Sequence, residues 1–136
     1  MQSSLLLVEV QLANSRYPNQ GRVEIKINGQ WGTICDQDWD QNDASVICHQ
    51  LGFEDSVRAL GGAAFGEGKG PIHYTEVRCR GHELNIASCK YSEHQTSCNH
   101  GDDAGVICYH DDYPKTIVTP TQKPSRKYYD LFTALM

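Results

Sequence analysis

A small, disulfide-stapled α+β domain is the fold class this 136-residue sequence predicts, and three observations carry the prediction. Val23, Ile25 and Ile27 alternate with Glu24 and Lys26 and run into Asn28-Gly29, the pattern of a half-buried strand followed by a hairpin turn. Ala44, Ile47, Cys48 and Leu51 recur at i, i+3, i+4 and i+7, which places them on one face of a helix. Six cysteines, at 35, 48, 79, 89, 98 and 108, fall within 74 residues, and no two are closer than nine positions.

That cysteine spacing decides between metal and disulfide chemistry. Structural zinc sites pair ligands two to four residues apart because two thiolates must reach one small ion, and no such pair exists here. A disulfide framework follows, and with it an oxidising compartment: extracellular, lumenal or cell-surface. Six cysteines allow 15 pairings, and spacing alone selects none of them. A chain of this length holds one domain, since single cores need roughly 100 to 150 residues. The net charge of −5 argues against duplex nucleic acid, which is bound by neutralising phosphates. No stretch approaches the roughly 18 consecutive apolar residues of a spanning helix, so no direct membrane insertion is expected.

The elements follow in order. Residues 1–7 read as an N-terminal remnant with a replacement initiator methionine, and Glu9, Val10, Gln11 and Leu12 alternate like a strand. The hairpin comes next, from Val23 across Asn28-Gly29 to Ile34, because Asn-Gly tolerates the positive φ angles of a type I′ turn. The helix starts from Asp40 or Asp43 as N-cap and stops at Gly52. Residues 61–71 hold too many glycines for a regular element and form a loop. Ile72 to Arg80 reads as a strand, Glu83 to Cys89 as a short helical turn, and Ala104 to Tyr109 as a final strand. The body, residues 8–110, is followed by a tail, residues 111–136. Within the tail, 111–127 is a Pro-rich polar linker and Tyr128 to Met136 is apolar enough to dock or form a short helix. Residues 1–110 carry eight basic against fourteen acidic side chains, a balance of −6, so the acidity belongs to the body.

Six segments then resemble one family together. Gly21-Arg22-Val23-Glu24-Ile25, Gly32-Thr33-Ile34-Cys35-Asp36, and the run from Asp43 through Cys48 to Phe53 are the first three. The run Phe65 to Ile72, Val77-Arg78-Cys79-Arg80-Gly81-His82-Glu83, and Asp103-Ala104-Gly105-Val106-Ile107-Cys108 complete the set. In order and spacing they resemble the scavenger receptor cysteine-rich (SRCR) domain in its six-cysteine, group A form. The resemblance implies a curved antiparallel sheet cradling one main helix and a short helical turn, with long loops. It also implies the pairing Cys35–Cys98, Cys48–Cys108 and Cys79–Cys89.

Two candidate sites arise. Asp36, Asp38, Asp40 and Asp43 bring four carboxylates into eight residues, but Gln41 and Ile47 stand where an EF-hand needs Gly and Glu, which excludes that motif. The resemblance implies another arrangement, in which paired aspartates after the first cysteine join a glutamate to hold Ca2+. Asp36 and Glu83 match that set, Gln37 replaces the second aspartate with a neutral oxygen ligand, and Asp38 is the substitute carboxylate. Thr75 departs from an acidic position in relatives, which weakens any second cation site. The other candidate is basic: Arg78 and Arg80 share a strand face at period two, with Lys90, Arg58 or Lys69 available beside them.

Catalytic readings fail on motif. Of the six histidines none falls at His-Glu-x-x-His spacing, no Gly-x-Ser-x-Gly elbow exists, and Lys69-Gly70-Pro71 cannot complete a phosphate cradle. Trp31 and Trp39 are expected to pack half-buried against the helix. The chain is therefore expected to be a non-enzymatic, extracellular ligand-binding module of a larger secreted or cell-surface protein. Its expected partners are a protein or a polyanion, together with neighbouring domains of its parent chain. The alternative is a structural or regulatory spacer in a multidomain secreted enzyme such as a protease or oxidase.

Overall fold

The computed structural model describes residues 7–93 and 97–118. Residues 1–6, His94 and everything past Val118, including the expected docking segment 128–136, lie outside the described residues. Seven strands form the frame: β1 (Glu9–Ala13), β2 (Gln20–Ile27), β3 (Gln30–Ile34), β4 (Ser56–Leu60), β5 (Ile72–Arg78), β6 (Lys90–Ser92) and β7 (Gly105–Cys108). One α-helix, α1 (Gln41–Gln50), and two 3-10 turns, Ile86–Ser88 and His100–Asp102, complete it.

β2 is the hub. Its first residues, Gln20 to Arg22, pair with β7, its later ones, Glu24 to Ile27, pair with β3, and its other edge carries β1. The sheet order is β4-β7-β2-β3-β5-β6, with β1 on β2 beside it. Most pairs are antiparallel, and one, β3 with β5, runs parallel, which makes the sheet mixed. The long connection from β3 through α1, β4 and the glycine-rich loop supplies the crossover that a parallel pair requires.

Local chemistry accounts for the elements. Asn28 and Gly29 take φ of 53° and 78°, the two positive angles of a type I′ turn, so Ile27 and Gln30 face each other across the hairpin. Asp40 caps α1, its carboxylate accepting from the Asp43 N–H at 3.1 Å while Asp43 accepts from the Asp40 N–H at 2.8 Å, a reciprocal capping box. At the other end Gly52 donates to the His49 carbonyl and Phe53 to the Cys48 carbonyl, the paired bonds of a Schellman motif. Gly52 has a φ of 93°, which an L side chain resists.

Val23, Ile25, Ile34, Tyr74, Val77 and Val106 form the sheet side of the core, and Ala44, Val46, Ile47 and Cys48 the helix side. Val46 is buried although it lies off the predicted stripe, because α1 is covered on a second side by the turn carrying Ile86. Leu51, expected on the buried face, is half-buried at the C-cap. Trp39 is half-buried and donates its indole N–H to the Gly105 carbonyl at 3.0 Å, joining the loop before α1 to β7.

Three disulfides staple this frame: Cys35–Cys98, Cys48–Cys108 and Cys79–Cys89. The first two close loops with sequence separations of 63 and 60 residues, and the third a separation of 10.

Candidate functional site

The β5–β6 ribbon carries the basic candidate. Along β5 and past its end, Val77 and Cys79 point inward and are buried, while Arg78 and Arg80 are exposed, the period-two division a strand imposes. β6 returns antiparallel, and its register puts Lys90 directly opposite Arg78. Residues opposite one another in an antiparallel pair share a face, so Arg78, Arg80 and Lys90 form one basic strip. The Cys79–Cys89 bridge closes the ribbon one residue away, which holds that strip in register. Next to it Tyr91 stacks on Tyr74 with ring centroids 3.7 Å apart, and Leu84 stands 88% exposed on the loop between the ribbon strands. Burial, and then the Tyr91 hydroxyl, push the Tyr74 phenol well above its usual range. Neither the exposure of Leu84 nor the tyrosine stack is visible in a motif.

Arg58 and Lys69, the other basic candidates, do not join the strip. Arg58 lies on β4, at the opposite end of the strand order from β6, and Lys69 sits in the glycine-rich loop.

The structure does not gather the expected calcium ligands. Asp38 forms an ion pair with Arg78 at 3.0 Å, and that contact raises the guanidinium pKa. Asp36 accepts from the Gly62 N–H at 2.7 Å, and exposed Gln37 lies between the two aspartates. Glu83 accepts from the backbone N–H groups of Arg80 at 2.8 Å and Gly81 at 2.9 Å. Burial alone would raise the Glu83 pKa, but these amides outweigh it and the net direction is down. Among the described residues, the grouping of three ligand-type side chains within 4.8 Å is Cys79, Glu83 and Cys89, whose two sulfurs are spent in a disulfide. Asp36, Asp38 and Glu83 are thus each engaged by a different protein group, and the three do not form one grouping within 4.8 Å.

Asp43 connects the helix to this surface. Its carboxylate is buried and accepts from the Cys79 N–H at 2.7 Å as well as from Asp40, so the N-terminus of α1 is tied to the end of β5. Burial pushes its pKa from 3.8 up to about 7, against the pull of the two backbone donors. A carboxyl with a higher pKa folded than unfolded holds its proton more tightly when folded, so its favourable contribution is full at low pH. That contribution declines as pH rises from 3.8 towards about 7. Urea midpoints measured across that range are expected to fall in the unaltered chain relative to Asp43→Asn, in which the slope flattens; equal slopes would show Asp43 ionised throughout.

Comparison with known proteins places the chain. The family model for the scavenger receptor cysteine-rich domain matches residues 13–109. Galectin-3-binding protein of Pongo abelii is 52% identical over 101 residues, which is 74% of this chain and 17% of that protein. Lysyl oxidase homolog 2 of Homo sapiens is 46% identical over 99 residues, 73% of this chain and 13% of that one. The chain thus spans less than a fifth of the length of these curated relatives. Among solved structures, the third SRCR domain of murine neurotrypsin superimposes with a TM-score of 0.71 at 46% identity, covering 79% of this chain and 98% of that one. The dimeric form of the SRCR domain of mouse MARCO does so with a TM-score of 0.62 at 44% identity, covering 67% and 87%. With the match spanning most of the chain and three disulfides of the six-cysteine type, this chain belongs to the scavenger receptor cysteine-rich domain family.

Proposed function

We propose that this SRCR domain is an extracellular binding module that holds a polyanionic ligand along the β5–β6 ribbon, without a bound cation. The observation that carries the reading is the register: Lys90 faces Arg78, Arg80 follows on the same face, and a disulfide locks the ribbon. A preformed strip loses little conformational freedom on binding, which is the advantage of a disulfide-held surface. Arg80 and Lys90 carry no ion pair among the described residues, whereas Arg78 is shared with Asp38. Arg78 pairs with Asp38, the carboxylate that would compensate for Gln37, which supports a reading without a bound cation. Three disulfides suit a secreted or cell-surface setting, and the relatives' much greater lengths suit a module within a larger protein.

Heparin serves as the polyanion probe. Arg80→Glu combined with Lys90→Glu is expected to weaken retention on immobilised heparin by about tenfold or more, and the loss should shrink as salt is raised. Lys26→Glu, on β2 away from the ribbon, should leave retention unchanged. Retention should also be equal in EDTA and in millimolar calcium. Equal retention of the double reversal and the unaltered chain would remove the ribbon reading and favour a spacer role. Calcium-dependent retention would remove the cation-free part.

A further inference from the structure

Past β7 the chain does not leave the domain. It turns at His110, whose carbonyl accepts from the Tyr113 N–H at 3.2 Å and whose Nδ1 accepts from the Asp112 N–H at 3.1 Å. The Tyr113 ring packs 4.8 Å from His110 and 6.0 Å from Tyr17. Residues 114–118 then run back across the start of β2, beyond the point where the family match ends.

What meets the backbone of this segment is a row of side-chain amides and a hydroxyl, while the Lys115 ammonium lies 4.8 Å from the Tyr109 ring centroid. Asn19 Nδ2 donates to the Pro114 carbonyl at 2.9 Å, and Gln20 Nε2 to the Thr116 carbonyl at 3.0 Å. The Val118 N–H donates to Gln20 Oε1 at 2.6 Å, and Ser15 Oγ donates to the Val118 carbonyl at 3.0 Å. The contacted residues are 114, 116 and 118, with the chain bending at Lys115 and Thr116 between them. With the segment in place Asn19 and Gln20 are 0% and 1% exposed, so these hydrogen bonds are made out of reach of water. Asn19 is already the limiting case: its Nδ2 serves two carbonyls, Cys108 and Pro114, while its buried Oδ1 has no partner. Hydrogen bonds shielded from water are electrostatically stronger than exposed ones, which favours an occupied groove. Pro114 and Val118 are themselves buried, while Lys115 and Thr116 face outward.

We propose that Ser15, Asn19 and Gln20 form a clamp that reads the backbone of a peptide segment, and that its occupant is this chain's own segment 114–118. The folded unit then extends past Cys108 at least to Val118. Whatever follows is tethered beside the β1–β2 loop instead of swinging from Cys108, and the ten residues from Tyr109 to Val118 lose up to about 35 Å of linker reach. Because the contacts are to backbone, the clamp tolerates sequence change in the segment, except where a needed N–H is deleted.

The full chain tests this. The Val118 amide should exchange with deuterium about a hundredfold or more slower than in an unstructured peptide, and trypsin should cut slowly after exposed Lys115. Val118→Pro removes the one strap N–H that the clamp accepts while keeping an apolar side chain, so it acts on the strap and not on the core. It should raise cleavage after Lys115 by about tenfold or more, with the β7 amides of Val106 and Ile107 still protected. Gln20→Ala should accelerate the same cut. Val118 exchange at the free-peptide rate in the unaltered chain would overturn the proposal, as would unchanged cleavage in Val118→Pro. Loss of β7 protection in Val118→Pro would overturn it too, since the segment would then melt with the core and not release from a clamp.

Discussion

Replacing Cys48 and Cys108 together by alanine is expected to destabilise the domain by about 4–5 kcal/mol. The bridge joins the buried face of α1 to the end of β7 across a sequence separation of 60 residues, and both sulfurs sit at 0% exposure. Two effects contribute, and their sizes differ. Freeing the unfolded chain from a loop of that length accounts for about 4 kcal/mol, growing only with the logarithm of loop length. The lost packing of two small sulfur atoms adds about 1 kcal/mol or less if α1 relaxes towards β7. By the same relation the Cys79–Cys89 bridge, closing a separation of 10, accounts for about 3 kcal/mol. Its removal should loosen the register of the basic ribbon before it unfolds the domain. Urea unfolding of the double alanine variants, with both slopes reported, is the measurement. A loss below about 1 kcal/mol for the Cys48–Cys108 pair would mean that the unfolded chain is already compact there, and the entropic account would fail.

The features legible in the sequence are those whose cause is local. The Asn28-Gly29 turn and the α1 caps depend on residues within a few positions of each other, and both stand where the pattern puts them. Arg78 and Arg80 share a face because period two is a property of one strand. What sequence reasoning missed depends on pairing across distance. β4 has no clean alternation, and only β7 makes it a strand. The parallel β3–β5 pair cannot be foreseen without knowing how the intervening crossover folds. Lys90 faces Arg78 through a register set by a bulge between Thr75 and Arg78, and Asp38 meets Arg78 across 40 positions. Composition failed in an instructive way at residues 111–118. Pro-rich polar sequence reads as linker because it offers little to bury, but this segment is held by its carbonyls and one amide, which every sequence possesses.

Phe65→Ala is expected to cost about 3–5 kcal/mol, because one ring anchors the whole glycine-rich loop. Residues 61–71 contain a single large apolar side chain, and it is 1% exposed. The ring lies where β7 has Gly105: a Cβ there would come within 2.8 Å of Phe65 Cδ2, so the absent side chain of one residue makes the seat of the other. Around it the loop backbone is held at several points. Arg22 donates to the Gly66 carbonyl at 3.2 Å, Asn14 donates to the Phe65 carbonyl, and buried Asp103 accepts from the Gly68 N–H at 2.7 Å. These hydrogen bonds orient the loop, each worth about 1 kcal/mol net and about 1.5–3 kcal/mol where Arg22 or Asp103 is the partner, and several are partly open to water. Removing the ring leaves a cavity that the glycines have no side chains to fill, whereas Phe65→Leu, which keeps most of the volume, should cost about 1–2 kcal/mol. Hydrogen exchange separates the two ways of holding the loop. If the ring is the anchor, the Gly68 amide loses protection in Phe65→Ala and largely keeps it in Phe65→Leu. Protection of Gly68 that survives in Phe65→Ala, with a stability loss under about 1.5 kcal/mol, would assign the loop to Asp103 and Arg22 instead.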